Sequence, residues 1–216
     1  MTMELLTGRS LKEILKEKKS FSPVEMRDIA VQCCDALAYT HGLNIIHRDI
    51  KPENIMRGTD GVFKLSDLGL AKIHSPGEDA SKDKFSITMD SVGLGTPQYM
   101  SPEQAVDAKN CDSRADIYSL GITLYQLATG RLPFVSNDPI ELRRMHASEK
   151  PPMPSELNAE IDPDFEHIIC KCIEKSRSHR YQTPDELLAD IDAYIDRAPL
   201  PSLASVNTEK VNAAPA

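Results

Sequence analysis

His47-Arg48-Asp49-Ile50-Lys51-Pro52-Glu53-Asn54 is the run that decides what kind of fold this chain encodes. It sets a carboxylate, an ammonium and a carboxamide close together at Asp49, Lys51 and Asn54. A second carboxylate follows in Ser66-Asp67-Leu68-Gly69, just after the short apolar piece Phe63-Lys64-Leu65. One carboxylate can meet the proton of an alcohol, a lysine can meet an anionic oxygen, and an Asn with an Asp can hold a divalent cation. Base, charge clamp and metal bridge are the parts that moving a phosphoryl group requires. Taken singly none of these residues says much, and a histidine among charges, such as His47, is more often structural than catalytic.

Outward from the run, the pattern upstream is helical. Ser10 and Glu13 make a capping-box pair, which predicts a helix from Ser10 to Lys19. Ser22-Pro23-Val24-Glu25 opens a second one, with a capping serine and proline at the first helical position. Its apolar residues Met26, Ile29, Ala30, Cys33 and Leu37 recur at helical spacing, and it should stop near Gly42. Downstream, Ile45-Ile46, Asn54-Ile55-Met56 and Val62-Phe63-Lys64-Leu65 read as brief strands bounded by turns. A polar stretch from Leu68 to about Tyr99 is expected to be one long loop, which in a compact domain is usually functional or disordered. Helices are expected again from Ser113 to Ala128, Pro139 to Ser148, Asp164 to Cys172 and Thr183 to Asp196. From Ala198 the chain has little to bury, and residues 198–216 are expected to form a disordered tail.

The bulk properties exclude several classes. With 216 residues the chain is long enough for one buried domain and short for two. A formal net charge of −8 argues against a general binder of nucleic acid or anionic membrane, since phosphate backbones need a basic face. It is compatible with an enzyme whose metal ions supply positive charge locally. No apolar run approaches the roughly 20 residues of a membrane helix. Met1-Thr2-Met3-Glu4 has neither the basic nor the apolar region of a secretion signal. The five cysteines, Cys33, Cys34, Cys111, Cys170 and Cys172, fit no metal or disulfide spacing, which points to free thiols in a reducing cytoplasm.

With these motifs in view, the chain resembles the eukaryotic-like serine/threonine protein kinases common in bacteria. The run from His47 to Asn54 is similar to their catalytic loop, and Asp67-Leu68-Gly69 stands where the family has D-F-G. Gly95-Thr96-Pro97-Gln98-Tyr99-Met100 with Ser101-Pro102-Glu103 resembles the end of the activation segment. Asp116-Ile117-Tyr118-Ser119-Leu120-Gly121 resembles the D-x-W-S-x-G start of the central helix, with Tyr for Trp. Met3-Glu4-Leu5-Leu6-Thr7-Gly8 resembles the hinge between the two kinase lobes. The resemblance runs from about Met3 to Asp196. It implies a mainly helical α+β fold, the large C-terminal lobe of a protein kinase, with the β-rich N-terminal lobe absent from the 216 residues. Residues 1–197 are expected to be this domain.

The roles that the resemblance implies follow position by position. Asp49 would orient the substrate hydroxyl, Lys51 would neutralise the transferring γ-phosphoryl group, and Asn54 and Asp67 would hold the magnesium ions that bridge ATP. Backbone groups of Glu4 and Leu6 would meet adenine, with Met56 packed beneath it. Arg48 would receive a phosphate on the activation segment, for which counting back from Gly95 selects Thr88. Thr96 would support the serine/threonine site. His47, Asp116 and the Glu103–Arg180 pair would be structural. Lys51, two residues after Asp49, points to serine or threonine rather than tyrosine substrates. The implied cofactors are ATP and Mg2+, and the implied partner is a protein carrying Ser or Thr.

Within the 216 residues there is no G-x-G-x-x-G loop, no V-A-I-K-type lysine and no glutamate to pair with it. The expectation is therefore an isolated lobe without activity of its own, its small lobe supplied by a longer reading frame. A non-catalytic kinase-lobe binding module is the alternative. Small-molecule kinases of the aminoglycoside or choline type share the fold but typically lack both the Gly95–Glu103 motif and Lys51.

Overall fold

A computed structural model describes residues 7–67, 72–73, 97–107 and 111–197. The chain opens with strand β1 (Gly8–Ser10) and helix α1 (Leu11–Glu17). Ser10 caps α1 through a capping box with Glu13, and the helix stops two residues short of Lys19, where Lys18 turns extended. Helix α2 (Pro23–Gly42) starts with the second box, Ser22 with Glu25, and Pro23 at its first turn. Its buried face is Met26, Ile29, Ala30, Cys33, Cys34 and Leu37.

Two small antiparallel sheets follow. Strands β3 (Ile55–Gly58) and β4 (Phe63–Leu65) form a hairpin, and β1 joins it in the order β1-β3-β4. The register pairs Ser10 with Met56, Ile55 with Leu65 and Arg57 with Phe63. Strand β2 (Ile45–Ile46) pairs with β5 (Lys72–Ile73). The pairing at β5 corrects the expectation of an unbroken loop from Leu68 to Tyr99. Two residues are too few to show a period in sequence, so only the pairing with β2 reveals the strand.

The remaining helices are α3 (Pro102–Asp107), α4 (Arg114–Thr129), α5 (Pro139–Ser148), α6 (Pro154–Leu157), α7 (Pro163–Cys172) and α8 (Pro184–Arg197). Helix α4 is buried on nearly every side, from Ala115 through Tyr125. It packs between α2 and α7, and α8 lies along α2 with Leu187, Ile191 and Tyr194 in the same core. An all-round apolar helix of this kind belongs at the centre of a domain. Gly130 ends α4 in the left-handed region at φ 72°. A Cβ there would lie 2.2 Å from the Lys19 carbonyl oxygen, so only glycine fits.

The five cysteines are free, four of them buried. Burial pushes the Cys33 and Cys111 thiols up to about 12 and raises Cys34 and Cys172 as well. Thiols so held are inert core residues. None of the helices among the described residues is long and apolar enough to cross a membrane.

Candidate active site

The catalytic-type loop hangs between β2 and the hairpin, and helix α4 sets its shape. Asp116, 0% exposed in the first turn of α4, accepts the backbone N–H of His47 at 2.9 Å and that of Arg48 at 2.7 Å. The His41 ring at the end of α2 sits 2.8 Å from the same carboxylate. A carboxylate with several donors is well matched to a buried position. Arg48 lies in the left-handed region at φ 67°, a strain that a non-glycine residue keeps only when its neighbours hold it.

His47 is 0% exposed. Its Nε2 is 3.0 Å from the Ser66 carbonyl, and its Nδ1 accepts the Asp49 N–H at 3.4 Å. The ring therefore ties the loop to the end of β4 and offers nothing to a substrate. Asp49 receives two charge-assisted or polar contacts on one oxygen: Lys51 Nζ at 2.7 Å and Asn54 Nδ2 at 3.0 Å both reach Oδ2. Among the described residues Oδ1 takes no hydrogen bond. Asn54, 4% exposed, also donates Nδ2 to the Asp49 backbone carbonyl at 2.8 Å. Both side-chain bonds of Asn54 thus use its nitrogen, which fixes the direction of its amide oxygen.

The hairpin brings the second carboxylate to the same end. Ser66 N–H donates to the Asn54 carbonyl at 2.8 Å, one step beyond the Ile55–Leu65 pair. Asp67 follows, exposed and in the left-handed region at φ 60°. Asn54 and Asp67 therefore flank the open end of one hairpin. Two oxygen donors from the protein suit a hard, small cation that keeps phosphate oxygens in its shell. Among the described residues no group of three or more His, Cys, Asp and Glu forms a dedicated cage.

The framing residues are equally well fixed. Arg180, 2% exposed, binds Glu103 bidentately at 2.7 and 2.9 Å. It also donates to the carbonyls of Glu174, Arg114 and Lys175, and its guanidinium lies 4.8 Å from the Tyr118 ring centroid. Tyr118, standing where Trp was expected by resemblance, bonds His146 Nδ1 at 3.0 Å. Met56 sits half-buried in β3. Glu4, Leu6, Thr88 and Thr96 lie outside the described residues. Sequence reasoning missed Glu53, whose carboxylate pairs with Lys12 of α1 at 2.6 Å, and Gln104, whose Nε2 reaches the Arg48 carbonyl at 3.1 Å. A Ser-x-x-Gln spacing at Ser101–Gln104 was the available signal for the latter.

Residues 1–190 match the protein kinase domain family. The chain belongs to that family. This kinase-domain chain is 35% identical over 206 residues to a probable serine/threonine-protein kinase of Streptomyces coelicolor, covering 95% of the chain and 30% of the relative. It is 36% identical over 191 residues to the serine/threonine-protein kinase PknB of Mycobacterium leprae, covering 88% and 29%. A probable serine/threonine-protein kinase of Clostridium acetobutylicum matches at 36% over 191 residues, covering 88% and 28%. The kinase-domain chain thus spans about 30% of the length of the curated relatives it matches. Its architecture is that of the family, mainly helical with a small three-stranded sheet.

Proposed function

We propose that the protein containing this chain is a serine/threonine protein kinase that transfers the γ-phosphoryl group of Mg-ATP to hydroxyls of protein substrates. The observation that carries this is Asp49, whose Oδ2 is occupied by Lys51 and Asn54 while Oδ1 has no partner among the described residues. The alcohol approaches Oδ1, which orients it and takes its proton as its oxygen bonds to the γ-phosphorus and the bond from that phosphorus to the departing ADP breaks. Lys51 stands beside the same carboxylate and neutralises the oxygens of the group in flight. Asn54 and Asp67 would hold magnesium, which when bound offsets the negative charge of the phosphates. The relatives' names supply the Ser/Thr class, and Lys51 two residues after Asp49 agrees with it.

The further assignments belong to the same reading. Residues 1–197 make up the kinase-domain part and 198–216 a tail. Glu4, Leu6 and Met56 would form the adenine site, and Thr96 would support the hydroxyl. Arg48, with a buried and unpartnered Nε, is suited to receive a phosphate, for which Thr88 is the candidate. His47, Glu103, Asp116 and Arg180 serve structure. Buried free thiols suit a reducing cytoplasm.

Phosphoryl transfer to a generic protein substrate, assayed in the longest reading frame that contains these residues, tests the proposal. Asp49→Asn should lower the rate by at least about a thousandfold, as loss of a general base and its positioning does. Transfer that survives this substitution would rule out Asp49 as the base. Absence of transfer from both forms would leave the binding-lobe alternative.

A further inference from the structure

We propose that Gln104 is a positioning residue for Asp49, carrying the state of the activation-segment end into the catalytic loop through a single carboxamide. The inference rests on the reading of Asp49 as the base. Gln104 lies in the first turn of α3, and its Oε1 accepts the Ser101 N–H at 3.0 Å. Its own N–H donates to Ser101 Oγ at 3.3 Å, completing a capping box around the start of the helix. That half of the side chain is local and structural. The other half is not: Nε2 donates across 56 positions of sequence to the Arg48 carbonyl at 3.1 Å.

The carbonyl it reaches belongs to the strained residue of the loop. Arg48 is left-handed at φ 67°, and the peptide that leaves it leads directly into Asp49. Asp116 holds the N–H side of Arg48 at 2.7 Å, and Gln104 holds the C=O side. One anchor comes from the buried helix α4, which is fixed. The other comes from α3, whose Ser101 follows straight on from the segment that sequence motifs assign to substrate and activation. A non-glycine left-handed residue relaxes when either hold is lost. Rotation of the 48–49 peptide, whose N–H meets His47 Nδ1 at a long 3.4 Å, would swing Asp49 away from Lys51 and Asn54. A shift in the Ser101 end of the segment is therefore transmitted to the base without any contact between the two.

Gln104→Glu separates the two halves. A glutamate keeps an oxygen for the Ser101 N–H, and a carboxylate in a first helical turn is favourable. It removes the donor to Arg48 and sets an acceptor against that carbonyl. Gln104→Leu, which loses the acceptor for the Ser101 N–H and the link together, is the control. Amide exchange by NMR in the full chain gives a readout independent of activity. For Gln104→Glu we expect the Arg48 and Asp49 amides to exchange about tenfold faster, with the Ala105 amide of α3 unchanged and a smaller loss of melting temperature than in Gln104→Leu. In the longest reading frame kcat should fall about tenfold with KM for ATP kept. Gln104→Leu should lower the melting temperature as well. Unchanged exchange at Arg48 and Asp49, an unchanged kcat, or equal melting losses in both variants would overturn the proposal. Faster loop exchange where neither form transfers phosphate would support the link while defeating the phosphotransfer reading.

Discussion

Arg180 directs its guanidinium to one carboxylate and three backbone carbonyls, with an aromatic face against it. Buried charge of that kind is tolerated because every donor is answered. Arg180→Met should therefore destabilise the fold by about 3–5 kcal/mol, since it strands Glu103 and three carbonyls. Adding Glu103→Gln to it should recover part of the loss, which urea unfolding of the single and double variants would measure. His146 is the second informative residue. Burial, then the nearby Lys175 ammonium, hold its imidazole down to about 4, with the Gln98 backbone acting weakly the other way. The unfolded chain takes up the proton near 6.5 and the folded chain refuses it until about 4. Stability is thus complete above pH 6.5 and falls as pH drops through that window, by roughly 3 kcal/mol. His146→Gln should flatten the urea midpoint between pH 6.5 and 4.5; an unchanged slope would show that other groups set it.

Among the elements, α4 leaves the least room for change. A Cβ on Gly121 would stand 2.5 Å from Cys172 Cβ and 2.7 Å from Ile173 Cγ2, so α4 and α7 meet there at backbone distance. Gly121→Ala should cost about 1–3 kcal/mol despite alanine's better helix propensity, and the same substitution at an exposed helix site would stabilise. Thermal melting decides between those signs. The long helices were legible because their signals are local. Ser22-Pro23-Val24-Glu25 and the stripe after it name both the start and the buried face of α2. The six-residue α3 and four-residue α6 were not legible, as neither is long enough to show an apolar period. The loop from His47 to Asn54 could be read as chemistry for the same reason that it is contiguous. Of what holds it, Asp116 could be named by resemblance and Gln104 not at all, since they reach it from 68 and 56 positions away. The Tyr118–His146 bond had no sequence signal at all.

At the scale of the whole molecule, one buried helix serves both core and site. Helix α4 supplies Asp116 to the loop, Ser119 Oγ to the Tyr99 carbonyl at 2.8 Å and Gln126 to the Tyr99 hydroxyl at 2.5 Å. The Arg114 carbonyl at its first residue receives Arg180 at 3.2 Å. Tyr99 lies just before α3, so the turn that leads into Ser101 and the loop around Asp49 are fastened to the same rod. That arrangement sets the relative placement of the two segments through α4.

The fastenings of α4 also set an order in time. During synthesis the residues of the loop, from His47 to Asn54, are complete long before Asp116 is made, and Glu103 waits for Arg180, 77 positions further on. Contacts so far apart close late and slowly. A nascent chain released before Asp116 would carry the whole catalytic-type loop without the carboxylate that sets its shape. The charged groups of the loop would stay hydrated until α4 arrives. A series of stalled nascent chains should therefore pass from protease-sensitive to protease-resistant at His47–Asn54 only once Asp116 has left the ribosome, long after those residues themselves have done so.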